Sequence, residues 1–241
     1  MMTRVFLAFG LAALLVSLAA SGPSSRGLAA ATLQETSPEQ QLAEKYAPIA
    51  ALREQEHACD RDGEGYFPAP VEIVLGNPDV TLRQEGVESV VLEGPTAQDL
   101  AGLDETHYLD FPGDPNRPGC TYETSFKLYA DETGVQPTTY ARVVTDRLRG
   151  KVVLQYWFWY YFNDWNNTHE SDWEMVQLVF DAFSAEEALG LEPGAVGFAQ
   201  HGGGELASWD DAKLGRDGDR IVVYPAAGSH GTYYGNELYI G

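Results

Sequence analysis

The fold of this chain is decided by residues 152–174, which read VVLQYWFWYYFNDWNNTHESDWE. The segment 152–162 is apolar and rich in β-branched and aromatic side chains, which favours a buried strand over a helix. Residues 163–167 have the composition of a loop, and a second strand is predicted to resume near Asp172 and to continue to Phe180. A very aromatic strand therefore leads directly into a group of acidic and imidazole side chains.

Side chains two positions apart on a strand share one face of the sheet. Asp172 and Glu174 are therefore predicted to point the same way, with Trp173 on the opposite face. Asp164 and His169 would approach them from the loop. Three neighbouring carboxylates repel one another, so either their pKa values rise or a cation lies between them. On residue types alone, a solvated hairpin turn followed by a half-exposed strand explains these residues equally well.

The residue types also indicate which cation such a site would hold. Carboxylate oxygens with a single imidazole suit a hard ion such as Ca²⁺, Mg²⁺ or Mn²⁺. Structural zinc usually requires Cys and His in fixed pairs, and the sequence has no such pairs. We therefore expect calcium or magnesium rather than zinc.

Several motifs in the second half of the chain match the vacuolar protein sorting-associated protein 62 family. They are Tyr156-Trp157-Phe158, Asn163-Asp164, His169-Glu170, Asp172-Trp173-Glu174, Gln200-His201-Gly202-Gly203, and Val223-Tyr224 with Gly228-Ser229-His230. Through them the chain resembles that family, which includes plant proteins of unknown function and has no established biochemical activity. The family continues beyond the last motif, whereas this sequence ends at Gly241, so the resemblance leaves open that the chain is truncated at its C-terminus.

More distantly, the same order of motifs is similar to the necrosis- and ethylene-inducing peptide-like cytolysins. Their signature, His-x-His-Asp-Trp-Glu, follows a strand that carries Tyr-Trp-Tyr and an Asp. Ser171 stands where that signature has its second His, and Ala199 stands where a downstream Ser-x-His-Gly-Gly segment has its Ser. The resemblance implies a β-sandwich on which four side chains surround a divalent cation. The ligands that it implies are Asp164, His169, Asp172 and Glu174.

Further side chains could complete a ligand site beside the cation. His201 and His230 each follow an apolar strand and lie among glycines, so their loops can meet His169 at one rim. Imidazoles near neutral pH serve both ligand contact and acid–base chemistry. We predict ligand binding by His201 and His230, with Glu205 as a further acid and Trp165 as a ring that stacks on a sugar. The alternative is that each His bonds only the backbone of its own turn.

The N-terminus has the pattern of a secretory signal peptide. Arg4 precedes an apolar run at 5–20, which Ser-Gly-Pro-Ser-Ser follows. We assign residues 1–30 to this signal, with the cleavage site undetermined within them. The run is short for a transmembrane span, so an uncleaved anchor is the less favoured alternative, and no stable span is expected after signal removal. The protein is therefore expected to be secreted or extracytoplasmic.

A secreted chain with two cysteines is expected to pair them. Cys59 and Cys120 would close a loop of about 60 residues, which the chain-entropy model values at about 4 kcal/mol. The alternative is two separate buried thiols. No thiol catalytic signature accompanies either cysteine.

The formal charge of the chain is −21, from 36 acidic and 15 basic residues. Long-range electrostatics therefore disfavour nucleic acids and anionic membranes as partners, whereas cations are attracted. The oligomeric state is not determined by any of these features.

The rest of the chain shows a strand-and-turn rhythm. Ser37, Pro38 and Gln40 predict the start of a helix that continues to about Tyr46. A short helix is predicted within 94–104 and a helical turn at 184–189, closed by Gly190. Predicted strands lie at 71–75, 87–92, 138–145, 152–162, 173–180, 196–200 and 220–224.

This rhythm predicts a mainly β protein, an antiparallel β-sandwich with a short N-terminal helix and few other helices, formed as one domain by residues 31–241. The predicted function is that of a secreted, divalent-cation-binding protein that recognises a polar small molecule, a glycan or a lipid head group. A metal-dependent hydrolase and a purely structural cation site are the alternatives. We expect binding rather than catalysis, because no nucleophile or paired acid–base motif stands out.

Overall fold

A computed structural model describes residues 5–7, 36–60 and 63–236 of the chain. The helices are α1 (Pro38–Lys45), α2 (Ala97–Leu100), α3 (Thr121–Thr133) and α4 (Ala185–Leu189), with a 3-10 helix at Val71–Ile73. The strands are β1 (Val5–Leu7), β2 (Ile49–Leu52), β3 (Thr81–Gln84), β4 (Leu92–Glu93), β5 (His107–Asp110), β6 (Tyr140–Asp146), β7 (Lys151–Asn163), β8 (His169–Phe180), β9 (Ala195–Gln200), β10 (Gly203–Ser208), β11 (Arg216–Asp217), β12 (Arg220–Pro225) and β13 (Thr232–Tyr233).

Two expectations concern residues that the structure does not describe. The signal-peptide assignment at 1–30 lies outside the described ranges except for β1, and the C-terminal truncation concerns 237–241, which lie outside them as well. That residues 31–241 form one domain stays a prediction. None of the helices in the described ranges has both the length and the apolar character that a membrane span requires.

The predicted mainly β architecture is confirmed. In the described residues, the largest sheet has the order β10-β9-β8-β7-β6, and all its neighbours are antiparallel. A second sheet has the order β1-β2-β12-β11, with β13 paired to β12, and a third has the order β4-β3-β5. The β2–β12 pair is parallel, a departure from the antiparallel pattern that the sequence predicts.

The aromatic hairpin of β7 and β8 is the backbone of the candidate site. The two strands pair antiparallel from Val152 with Phe180 to Asn163 with His169. A short connection at 164–168 joins them, so β8 begins at His169 rather than near Asp172. This earlier start places every predicted cation ligand on the hairpin or its turn.

The inner face of the large sheet packs against α1. Ser37 caps this helix by accepting a hydrogen bond from the backbone N–H of Gln40, as predicted. Tyr46 packs edge-on against Phe180, with ring centroids 5.3 Å apart. The Tyr156 hydroxyl donates to the carbonyl of Ala43 at 2.8 Å, so the helix is held to β7 by polar and apolar contacts together.

Helix α3 was not predicted, although its sequence carries a helical pattern. Tyr122, Phe126 and Tyr129 recur at the spacing of one helix face and are buried, and Gly134 follows the helix with a φ of +66°. The ring of Tyr122 stacks on Phe162 with centroids 3.9 Å apart. The helix therefore covers the end of β7 that leads into the candidate site.

Two predicted strands in the first half are wrong. Residues 71–75 contain the 3-10 helix, in which the N–H of Val74 bonds to the carbonyl of Val71. Residues 87–91 are irregular, with bends at Ser89 and Val91, and only Leu92 belongs to a strand. Short apolar runs do not distinguish a strand from a tight turn without knowledge of what covers them.

The predicted disulfide is confirmed, and the alternative of separate thiols is wrong. Cys59 and Cys120 are bonded, with Cα atoms 5.5 Å apart. The bond joins the segment before the 3-10 helix to the N-terminus of α3. The backbone N–H of Cys59 also donates to the Glu123 carboxylate at 2.8 Å, so the same connection is held twice.

Candidate functional site

Asp172 and Glu174 lie on one buried face of β8, as their spacing predicts. They are 7% and 4% exposed, whereas Trp173 between them is 45% exposed. Trp173 packs on the other face beside Tyr140, with ring centroids 5.6 Å apart. The alternation of the strand therefore brings two carboxylates into the interior, where each needs a partner.

His230 is the partner of Asp172. Its ring is fully buried, and its Nδ1 donates to Asp172 Oδ2 at 2.9 Å. The same carboxylate oxygen accepts from Asn163 Nδ2 at 3.1 Å. The imidazole stacks on Tyr160 with centroids 3.9 Å apart and planes within 6°. The structure thus places His230 in the interior beneath the site rather than on a solvent-facing rim.

A third carboxylate, Glu64, lies on the far side of that imidazole. Its Oε2 is 3.5 Å from His230 Nε2, and its side chain is 2% exposed. Glu64 Oε2 accepts from the backbone N–H of Gly228 at 3.0 Å, and its Oε1 accepts from that of Tyr66 at 2.9 Å. Glu64 was not predicted, since it lies in a turn-rich segment where no local pattern separates it from solvated acids.

Burial and mutual repulsion set the charge states of these groups. Burial by itself lowers the pKa of His230. The Glu64 and Asp172 carboxylates together raise it by more than burial lowers it, so the pKa is about 9. Burial would raise the pKa of Asp172, but the hydrogen bonds from His230 and Asn163, together with the charges of His230 and His169, lower it below its ordinary value. Burial raises the pKa of Glu174, and the nearby Asp172 charge adds to that, to about 8.

The loop at 226–231 that carries His230 has an unusual backbone. His230 has a φ of +57°, a left-handed conformation that costs a residue other than glycine roughly 1–3 kcal/mol. Gly228 has a φ of +77°, and a Cβ there would meet the carbonyl oxygen of Asp164 at 3.2 Å. The loop persists in this conformation because its neighbours hold it on several sides.

Asp164, His169 and Trp165 lie at the turn of the hairpin. The N–H of Asp164 donates to the carbonyl of Gly228 at 2.8 Å. His169 Nδ1 donates to its neighbouring Ser171 carbonyl at 2.9 Å, and its ring contributes to the lowered pKa of Asp172. Trp165 is largely exposed. His169 therefore lies near enough to Asp172 to affect its charge, and the predicted ligands at the turn are more open to solvent than Asp172.

Asp164 also forms one wall of an open cleft of about 570 Å³. The cleft is further lined by the disulfide at Cys59 and by Arg117, Pro118 and Gly119 of the loop before α3. Its volume is within the range of small-molecule sites. It extends the candidate site from the hairpin turn toward α3.

His201 and Glu205 approach from the β9–β10 hairpin. His201 Nδ1 is 3.7 Å from Glu174 Oε1, and its side chain is about half exposed. Glu205 Oε2 is buried and has no hydrogen-bond partner among the described residues. Burial raises the pKa of Tyr233, and the charges of Glu205 and Glu174 contribute to that increase. These residues therefore border the Glu174 side of the site.

Glu170 at the start of β8 is half-buried and hydrogen-bonded. Its two carboxylate oxygens accept from the Tyr122 hydroxyl at 2.6 Å and from the N–H of Phe111 at 3.0 Å. Burial raises its pKa. Glu170 therefore ties the start of β8 to α3 and to the residue that follows β5.

The site carries more negative than positive charge. Glu64 and Asp172 lie within ion-pair distance of His230, Glu174 lies within ion-pair distance of His201, and no described Lys or Arg forms an ion pair with these three carboxylates. Within the described ranges, no three His, Cys, Asp or Glu side chains lie close enough together to hold a metal ion. The donor chemistry suits a hard cation, but the side chains do not form a closed cage.

The solved structures that resemble this chain include the cytolysins to which its motifs are similar. A variant of NLPPya is 19% identical with a TM-score of 0.34, over 41% of this chain and 45% of that one. NLPPya in complex with glucosamine is 18% identical with a TM-score of 0.33, over 40% and 44%. Necrosis and Ethylene inducing Protein 2 from the causal agent of cocoa's Witches Broom disease is 18% identical with a TM-score of 0.34, over 43% and 49%.

The chain thus spans less than half the length of each of these structures. No protein-family model matches the chain, and neither does any curated protein. The similarity to the vacuolar protein sorting-associated protein 62 family therefore stays a resemblance in motifs.

Proposed function

We propose that the chain is a secreted protein that binds a divalent cation through Asp164, His169, Asp172 and Glu174 and uses this site to recognise a polar ligand. The observation that carries the proposal is the surplus of buried negative charge. Asp172 and Glu64 lie 2.9 Å and 3.5 Å from the His230 imidazole, and Glu174 is a further buried carboxylate on the face of β8 that carries Asp172, so a cation would offset negative charge there. Burial raises the pKa of Glu174, and the negative charge of Asp172 adds to that rise.

The donor set fits a hard ion in its chemistry. Asp172 and Glu174 supply oxygens from one face of β8, and Asp164 adds a third carboxylate at the hairpin turn. His169 donates from Nδ1 to the Ser171 carbonyl, which leaves Nε2 as its basic nitrogen and fixes the orientation of the ring. A bound cation would neutralise the carboxylates and offer its remaining coordination positions to hydroxyl or phosphate oxygens.

The ligand is proposed to lie in the cleft beside Asp164. Trp165, next to Asp164 in the chain, presents an exposed ring for stacking, and Arg117 adds a donor in the lining of the cleft. His201 lies at the Glu174 side and can hydrogen-bond a polar group. A glycan or a lipid head group carries the hydroxyl and phosphate oxygens that such a surface binds. His230 is fully buried, so its part in recognition acts through Asp172.

Secretion is supported by the disulfide. Disulfides form and persist in oxidising compartments and are rare in the cytosol. The Cys59–Cys120 bond is therefore consistent with the signal-like N-terminus.

A metal-dependent hydrolase is the second candidate, and one contact favours it. Glu174 and His201 face each other at 3.7 Å at the border between interior and solvent. A carboxylate and an imidazole in contact form a pair that can accept and return a proton beside a bound cation. A cation that only stiffens the hairpin turn remains the simplest alternative.

The cation is tested by isothermal titration of the chelator-treated protein with CaCl₂ and MgCl₂. Asp172→Asn removes a charged oxygen and should weaken binding at least about tenfold, because affinity at such sites follows ligand charge. Asp210→Asn is the matched control, since Asp210 is exposed and distant in sequence from the hairpin. Equal affinities in wild type and Asp172→Asn, or no binding in wild type, would remove the site from consideration.

The ligand is tested with a glycan array and with vesicles of defined head groups, each with and without the cation. His201→Ala should reduce capture while cation affinity stays within about twofold of wild type, since His201 is outside the four-residue set. Cation-dependent turnover of an ester, glycoside or phosphate that is abolished in both Asp172→Asn and His201→Ala would make the hydrolase the leading function.

A further inference from the structure

Glu64 is a buried carboxylate that belongs to neither the proposed cation ligands nor the proposed ligand contacts. A carboxylate that is 2% exposed is costly unless it is hydrogen-bonded or paired, and an apolar side chain would fill the same space at lower cost. Its two backbone hydrogen bonds and its position facing His230 show where its charge acts. Packing alone therefore does not account for an acid at this position.

The contacts of Glu64 lead to two of the proposed cation ligands. Through Oε2 it accepts from the N–H of Gly228, and the carbonyl of the same Gly228 accepts from the N–H of Asp164. Through the same oxygen it faces His230 Nε2, while His230 Nδ1 donates to Asp172. One carboxylate thus hydrogen-bonds the backbone next to Asp164 and lies within ion-pair distance of the ring that bonds to Asp172, while His230 Nε2 itself makes no hydrogen bond among the described residues.

The loop at 226–231 needs such an anchor. It carries two left-handed residues, Gly228 and His230, and its internal hydrogen bonds are short-range turns, from Ala226 to Gly231 and from His230 to Ala226. Glu64 comes from a segment that the disulfide at Cys59 holds against α3. The pairing of β12 with β13 holds the two ends of the loop, and Glu64 anchors its middle to a fixed part of the fold.

We propose that Glu64 is a positioning residue of the candidate site. Its carboxylate bonds to Gly228 and faces His230, and through these two residues it sets the placement of Asp164 and Asp172. This inference rests on the proposed cation site for its functional consequence. Groups behind the first ring of metal ligands typically change metal affinity 10- to 100-fold when they are lost.

The test compares Glu64→Gln with Glu56→Gln in the full chain. Glutamine keeps the size of Glu64 but loses the charge and one acceptor oxygen, whereas Glu56 is an exposed acid on the same segment. Titration with CaCl₂ should show affinity about 10-fold or more weaker in Glu64→Gln and unchanged in Glu56→Gln. Equal affinities in the two variants would overturn the inference.

A second measurement reads the position of His230 without any cation. In the chelator-treated protein, the hydrogen-bonded Nδ1–H proton of His230 should give a downfield nuclear magnetic resonance signal, assigned by its loss in His230→Gln. The signal should shift or broaden in Glu64→Gln and stay unchanged in Glu56→Gln. An unmoved signal in a folded Glu64→Gln protein would overturn the positioning role.

These two measurements separate the inference from the proposed function. If wild type binds no cation, the proposed function fails, and the His230 signal alone decides whether Glu64 positions that ring. If Glu64→Gln does not fold, Glu64→Asp replaces it, since aspartate keeps the charge and both acceptors but withdraws them by one carbon. It should show the same changes in smaller measure, and a wild-type affinity and signal in that variant would overturn the inference.

Discussion

Replacing His230 with alanine should destabilise the protein more than any other change at the candidate site. The imidazole is fully buried, with Nδ1 2.9 Å from Asp172 Oδ2 and Nε2 3.5 Å from Glu64 Oε2. No described Lys or Arg forms an ion pair with either carboxylate. Alanine would leave both carboxylates in the interior without a counter-charge. It would also remove a ring that stacks on Tyr160 at 3.9 Å.

The expected loss in the free energy of unfolding follows from these contacts. Removing one partner of a buried ion pair costs about 3–5 kcal/mol. A stacked aromatic pair contributes roughly 0.5–1.5 kcal/mol beyond its buried area. Part of this is recovered by protonation of a carboxylate, so we expect a net loss of about 4 kcal/mol. For a chain of this size, that lowers the melting temperature by roughly 8–16 °C.

The assay is thermal and urea unfolding at pH 6 in the presence of a chelator, followed by tryptophan fluorescence. His201→Ala is the control, because that imidazole is half exposed and its contact to Glu174 is long. Its loss should change stability by less than about 0.5 kcal/mol. A loss below about 1 kcal/mol in folded His230→Ala would refute the reasoning, since it would mean that the buried carboxylates need no counter-charge.

The pH dependence gives a second check on the same group. The pKa of His230 is raised from 6.5 to about 9, so the folded protein holds a proton that the unfolded chain releases. The stabilisation is therefore complete below about pH 6.5 and is lost as the pH rises through about 9. Glu174, with a pKa raised from 4.5 to about 8, acts in the same direction over a lower window.

Wild-type stability should accordingly fall as the pH rises from about 5 to 9, and His230→Ala should lack the part of the fall above about pH 8. A wild-type stability that is constant or rises over this window would contradict the assigned protonation states.

Two further predictions concern the framework of the site. Gly228→Ala should lower the free energy of unfolding by roughly 1–3 kcal/mol, because φ is +77° and the new Cβ would crowd the Asp164 carbonyl. Gly218→Ala is the control, since Gly218 also has a positive φ but open space around it, and it should lose only the conformational part. Equal losses in urea unfolding would show that the close approach to Asp164 is unimportant. Reduction of Cys59–Cys120, or the double variant Cys59→Ser with Cys120→Ser, should lower the free energy of unfolding by about 4 kcal/mol. An unchanged unfolding midpoint in the reduced protein, with free thiols verified by mass spectrometry, would show that the bond adds no stability to this contact.

Local pattern was sufficient for the hairpin and for part of the site. The period-2 alternation around β8 predicted that Asp172 and Glu174 share one face and that Trp173 takes the other, because strand geometry alone decides which side chains share a face. Which of the two faces is buried came from the tertiary structure. The capped helix at Ser37 followed from the chemistry of its first turn. The disulfide followed from compartment and cysteine count, without any knowledge of distance.

Tertiary structure decided what those carboxylates meet. Gly228 is 164 residues from Glu64 in sequence, and His230 is 58 residues from Asp172, so no window of sequence contains both partners. The partner of α3 is also distant in sequence: Tyr122 on its aromatic face stacks on Phe162 of β7, and only the tertiary structure brings these two rings together. A residue such as Glu64 resembles any solvated acid in a turn, and it acquires a role because burial removes the water that would otherwise satisfy its charge.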